Sequence, residues 1–314
     1  MNAIYTINYA IFSIFMAFLI MEIGFALTLI IDYRNYSGKV RMMINPIWEI
    51  TGTFGVFYIV NYEISYPKIL VAIANAYVIP ILIAAIFLLL RNAFIAFGDY
   101  SGDRSSHAFG FIYSASTLIV AILAVSVLTS GISGIGLLGS GKAGIWFLVN
   151  PFNLLVIISI LIFSISVASS IIGYQRSNII GSIASVAGFG IAFGSMYLYL
   201  PEFAHALKAN PTLVVISVIL LAASVLLQLR KIRYAWILNI ISIIAFINMF
   251  GILTYPYIFG TQSVLAYAAS PSIASPANII TAIGGSIVAI SLCILVYVNY
   301  MRRNAPPVVP AQNL

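Results

Sequence analysis

The chain has 314 residues, 62% of them hydrophobic and only 7% charged, whereas a soluble domain carries about 25% charged residues. It cannot cover itself with polar surface, so the composition excludes a soluble globular protein and predicts an all-α polytopic membrane protein. The net charge of +7 is scattered through short loops with no basic cluster beyond a few residues, which fits anionic lipid headgroups and argues against nucleic acid.

Nine apolar segments follow one another, each near the roughly 20 residues a membrane-crossing helix needs. The first, 5–31, has no basic residue ahead of it, since the first Lys or Arg is Arg34; it reads as a helix and not as a cleavable signal. Within it Glu22 stands in FLIMEIGFALTL (Phe18–Leu29). A charge near mid-helix costs roughly 2.5–3.5 kcal/mol on insertion scales, so Glu22 is a candidate for a proton or ion path. The alternative is a structural glutamate, protonated or hydrogen-bonded.

The second segment, 47–64, follows RMMINPIWEITG (Arg41–Gly52). Asn45 can cap this helix, with Pro46 at its first position and Glu49 favoured in its first turn by the helix dipole. The third, 69–90, ends in FLLLRN (Phe87–Asn92). Arg91 then sits at the helix exit, placed to pair with Glu49 or Asp99 or to snorkel to headgroups.

The fourth segment is 108–130, with His107 at its start. The following GLLGSGKA (Gly136–Ala143) has the spacing of a phosphate-binding loop. It ends in Ala143 where a hydroxyl is needed, and no strand precedes it, so it reads as a flexible connection. The fifth segment, 146–173, holds Asn150 and Pro151 as a local helix start. Segments 178–200, 211–229 and 234–255 follow. LLQLRK (Leu226–Lys231) ends the seventh as FLLLRN ends the third, which suggests two parallel four-helix units, about 5–130 and 146–255, plus a ninth helix at 278–300. Together, 1–304 form a single integral membrane domain, and 305–314 a disordered tail.

With nine spans, eleven of the 14 basic residues fall on one side and three, Lys68, Lys142 and Lys208, on the other. Without the second span the split is six against eight. The positive-inside rule therefore predicts nine spans, with the N-terminus outside and the C-terminus cytoplasmic. On this reading Glu49 faces the cytoplasm.

Ligand-bearing residues are scarce. His107 and His205 fall at opposite faces and cannot share a site. The one cysteine, Cys293, forms no intrachain disulfide and suits packing. No metal site and no bound haem is expected in this chain.

Taken together, these stretches resemble subunit II of the cytochrome bd family of quinol oxidases, over nearly the whole chain. RMMIN and PIWE (Arg41–Glu49) are similar to the family's Arg-rich loop and Trp-Asp-Gly-Asn motif, with Glu49 at the aspartate. LLLRNAFIAF (Leu88–Phe97) is similar to the exit of its third helix, with Arg91 at the arginine. LVNPFNLL (Leu148–Leu155) resembles the start of its fifth helix, and GILTYPYIF (Gly251–Phe259) the end of its eighth. The chain departs from the family at Ile50–Thr51, where the family has Gly-Asn, and at Ala26 and Ala96, where it has acids; Glu22 stands near the first family aspartate without aligning to it.

The resemblance implies nine helices in two four-helix bundles plus one. It implies a haem-bearing subunit I as partner, carrying haem b and haem d, oxidising quinol and reducing dioxygen to water while a proton gradient is built. This chain would then be an oxidoreductase subunit without its own redox centre, embedded in membrane lipid. Glu49 would take protons at the cytoplasmic face beside Trp48, Arg91 and Asn45, with Glu22 further along. Two rival readings are an ion-coupled secondary transporter and a purely structural membrane subunit.

Overall fold

The computed structural model describes residues 3–101, 107–135, 143, 144, 146–172, 177–232, 234–258 and 262–303. The tail 305–314 and the glycine-rich stretch 136–142 lie outside them, as do Asp103, Arg104, Arg176 and Arg233 and the side chains of Asp99 and Cys293.

In a bilayer the backbone must satisfy its own hydrogen bonds, and a chain this apolar does so as helices. These are α1 (Ala3–Ile31), α2 (Tyr33–Ser65), α3 (Pro67–Ala76), α4 (Val78–Ser101), α5 (His107–Ser133), α6 (Trp146–Val149), α7 (Pro151–Ile172), α8 (Ser177–Tyr199), α9 (Pro201–Ala209), α10 (Pro211–Leu229), α11 (Ala235–Thr254) and α12 (Pro271–Arg303). A two-residue hairpin, β1 (Tyr257–Ile258) with β2 (Gln262–Ser263), lies between the last two. Eight of the helices are long and apolar enough to cross a membrane alone. The pair α2 and α3, which turns sharply by 114° at Tyr66, passes the same test of length and composition together, which brings the candidates to nine if the bent pair is one span.

Three expectations about boundaries are corrected. The second helix does not begin at Asn45–Pro46: α2 starts at Tyr33, where Asp32 accepts from the Asn35 backbone N–H (3.4 Å) and side chain (2.9 Å). Pro46 removes one ladder hydrogen bond. Yet Val40, Met43, Ile44, Ile47, Ile50 and Phe54 are all buried, and this helical stripe carries α2 across the proline. The third apolar segment is not one helix. Pro67 opens α3 and the buried Tyr77 ends it, while the Ala76 carbonyl accepts from the Ala143 N–H (2.8 Å). Finally, Arg91 lies inside α4 and not at a helix exit. The FLLLRN and LLQLRK stretches are therefore out of register, since Arg230 is the C-cap of α10. Asn150 and Pro151 behave as predicted: the Asn150 side chain accepts from the Asn153 N–H (2.9 Å) as α7 begins.

Two units share one order of elements: long, long, short, long, long. They are α1–α2–α3–α4–α5 and α7–α8–α9–α10–α11, and each short helix opens with a proline, Pro67 and Pro201. Helix α1 is the hub, packing on α2, α5, α7, α11 and α12. Its apolar residues point all round, as a fully buried helix requires; Ala17, Met21, Phe25 and Ala26 are completely enclosed. The ninth helix, α12, rides on α2 and α1 with most of its surface exposed.

Candidate functional site

Glu22 lies nine residues before the end of α1, about 14 Å from it at 1.5 Å per residue. It is 0% exposed. Its Oε1 accepts from Arg91 Nη1 at 2.8 Å and from the Tyr113 hydroxyl at 3.2 Å. Arg91 is nearly as buried, at 3%. Its Nε donates to Asn92 Oδ1 (3.2 Å), which also accepts from Trp48 Nε1 (2.9 Å). One network therefore draws a residue from every long helix of the first unit: Glu22 from α1, Trp48 from α2, Arg91 and Asn92 from α4, Tyr113 from α5.

The electrostatics follow from this geometry. An isolated carboxylate or guanidinium here would be costly, and each offsets the other at hydrogen-bond distance. The second carboxylate oxygen, Oε2, is buried without a hydrogen-bond partner among the described residues. Thr51 stands beside the carboxylate, with its hydroxyl also in reach of the Ile47 carbonyl (2.9 Å). Oε2 is thus the open end of the network, free to accept a proton or a water hydrogen bond.

The structure redistributes the predicted site residues. Glu22 and Arg91 pair with each other, so Arg91 neither pairs with Glu49 nor snorkels. Trp48 joins them through Asn92. Glu49 is exposed, on the opposite side of α2 from the buried stripe. It is the seventeenth residue of that helix and not an N-terminal one, so the helix-dipole account of its charge falls. Asn45 is an interior, half-buried residue of α2 and not its cap. Sequence reasoning missed Asn92 and Tyr113. Asn92 had a signal, a polar residue beside Arg91 in an apolar run. Tyr113 is one tyrosine among 19, and nothing local distinguishes it.

Beyond the network, towards the α1–α2 turn, Tyr33 forms a second polar group. Its hydroxyl accepts from Arg41 Nη2, the Arg41 guanidinium lies 5.3 Å from its ring centroid, and its ring meets that of His107 at 4.6 Å. Gly110 lets the Tyr33 ring lie directly on α5; a Cβ there would come within 2.2 Å of the ring. Among the described residues no three His, Cys, Asp or Glu side chains gather as metal ligands.

Comparison with known proteins fits this architecture. The family profile described as Cytochrome bd terminal oxidase subunit II matches residues 3–301. No curated protein matches the chain by sequence. Among solved structures, a chain of "The structure of bd oxidase from Geobacillus thermodenitrificans" superposes with a TM-score of 0.74 at 18% identity, covering 94% of this chain and 98% of that one.

Proposed function

The chain belongs to the cytochrome bd terminal oxidase subunit II family, and from that premise we propose how it serves its complex. It is a multi-pass membrane subunit of a bd-type oxidase and works with a subunit I. That partner carries haem b and haem d, oxidises quinol and reduces dioxygen to water. This chain supplies a membrane scaffold and a proton station, and no redox centre of its own. The turn between α1 and α2 faces the cytoplasm, with the N-terminus outside. The charge asymmetry of the loops supports this orientation. Family membership also favours this reading over the ion-coupled transporter.

The observation that carries the proton role is the buried Glu22 carboxylate, held at Oε1 by Arg91 and Tyr113 and open at Oε2. Glu49, exposed on the outer face of α2, collects protons at the surface, and Glu22 relays them inward. Trp48 and Asn92 hold Arg91 in place, so the carboxylate keeps one orientation while its free oxygen exchanges a proton. In the assembled complex, Glu22→Gln and Glu49→Gln should each slow quinol-driven oxygen consumption and proton uptake. Unchanged rates in both, at normal haem content, would sink the relay.

The ion pair itself favours a second reading, that Glu22 and Arg91 only tie four helices together. The double variant Glu22→Gln/Arg91→Gln separates the two. A scaffold role predicts unchanged turnover per haem once the complex is assembled; a relay predicts slow turnover despite assembly.

A further inference from the structure

A cleft of about 480 Å³ runs between α11 and α12, with α1 as its floor. That volume falls within the ~300–1,000 Å³ of small-molecule sites. Phe18 forms the floor, Ile240 and Ile244 one wall, Ala289 and Ile294 the other. Helix α12 packs on α2 and α1 and leaves this gap on the side that faces α11. Near one end Asn278 is locked to Asn8, Asn61 and Ser65 by hydrogen bonds of 2.9–3.3 Å. At the other, the Tyr297 ring stacks on Tyr234 at 6.3 Å. Between these ties the two helices stand apart.

The mouth at the Tyr234–Tyr297 end is cationic. Arg230 and Lys231 are exposed in the turn that leads into α11, and the sequence puts Arg233 in the same turn and Arg302 and Arg303 at the end of α12. No Asp or Glu occurs anywhere after Glu202, so nothing acidic in this part of the chain neutralises the group. Trp236, just inside the mouth, lines the cleft, and indole and phenol rings suit the boundary between apolar and polar layers.

We propose that this cleft is a binding site for one anionic phospholipid, its acyl chain between α11 and α12 and its phosphate at the Arg230–Lys231 turn. The largely apolar walls suit a hydrocarbon chain, and the cluster of positive charge at one end suits a phosphate. The lipid fills the gap beside α12 and fastens that helix to the second unit.

The test uses the intact complex, purified in mild detergent and then washed, with retained phospholipid quantified by mass spectrometry and thermal stability measured after adding back phosphatidylglycerol or phosphatidylcholine. Wild type should retain about one anionic phospholipid per chain and be stabilised by phosphatidylglycerol more than by phosphatidylcholine. Ala289→Phe, which puts a ring into the cleft, should abolish both. Arg230→Gln/Lys231→Gln should keep the cleft open but lose preference for the anionic lipid, about fivefold for each charge removed. Normal haem content in each variant confirms that it has folded. Retention of an isoprenoid quinone in place of phospholipid, equal retention of neutral lipid, or lipid content indifferent to all three substitutions would overturn the proposal.

Discussion

The first unit joins its four long helices through a network that contains a full ion pair, Glu22–Arg91. Among the described residues, the second joins the same four positions with neutral groups. Ser166 of α7 shares a hydrogen bond with Ser185 of α8, Gln228 of α10 donates to Ser169 of α7 (2.9 Å), and Ser224 of α10 donates to Asn239 of α11. The correspondence is close on the third long helix: Arg91 and Ser224 each lie thirteen residues after the first residue of their helix, Val78 and Pro211. A hydroxyl and an amide suffice to bridge helices in a bilayer. Holding a four-helix unit together therefore does not require a buried charge. The charge in the first unit is extra, and that is the strongest argument that it does chemistry.

The largest expected effect comes from removing one charge. Arg91→Ala leaves Glu22 buried and unpaired, a loss of about 3–5 kcal/mol, visible as a steep fall in thermal stability or as failed assembly. Replacing both partners, as Glu22→Met/Arg91→Met, should restore most of that loss. If the single variant were no worse than the loss of a hydroxyl in the second unit, the contrast between the units would collapse.

Next in size is the seam between the units. A Cβ on Gly24 of α1 would come within 2.3 Å of the Ser164 carbonyl oxygen and 3.0 Å of the Ala168 Cβ, both on α7. The carbonyl is backbone and cannot swing aside, so Gly24→Ala should cost about 1–3 kcal/mol through overpacking. Unfolding curves of the purified complex measure it, and a neutral result would mean that the seam is looser than the structure has it.

The first unit also anchors the ninth helix. Asn278→Ala removes the acceptor shared by Asn8 and Asn61 and the donor to Ser65. The expected cost is about 1–2 kcal/mol, read as faster hydrogen exchange in the first half of α12 with little change in the second unit. Exchange that rose equally in both units would show that the anchor is not local.

The smallest effect belongs to the neutral network. Ser224→Ala should cost only about 0.6 kcal/mol, the typical worth of an interhelical hydrogen bond in a membrane. Oxygen consumption per haem should stay at the wild-type level. A loss of turnover there would give the second unit a role beyond scaffolding.

How much of this was readable beforehand varies from residue to residue. Membrane class and span count follow from hydrophobicity along the chain, a one-dimensional property. The basic residues weighed in favour of a second span even though its apolar run is weak. Glu22 stood out because a carboxylate in FLIMEIGFALTL has no cheap explanation. The break at Tyr77 was hidden, since α3 and the start of α4 on either side of it read together as one continuous apolar run. The start of α2 was misread because Asn-Pro is a real helix-start signal locally, and only the buried stripe on either side outweighs it.

Composition and order determined that this chain is a multi-pass, all-helical membrane subunit, and its motifs in sequence carried the family. Tertiary structure alone decided which charges meet. Arg91 lies 69 residues from Glu22 and 42 from Glu49, and separation along the chain gave no reason to prefer the farther partner. The choice came from packing. Helix α1 sits at the hub with Glu22 enclosed, while Glu49 faces outward from α2. A buried guanidinium goes to the carboxylate that is buried with it, because an exposed one cannot offset the cost of leaving water.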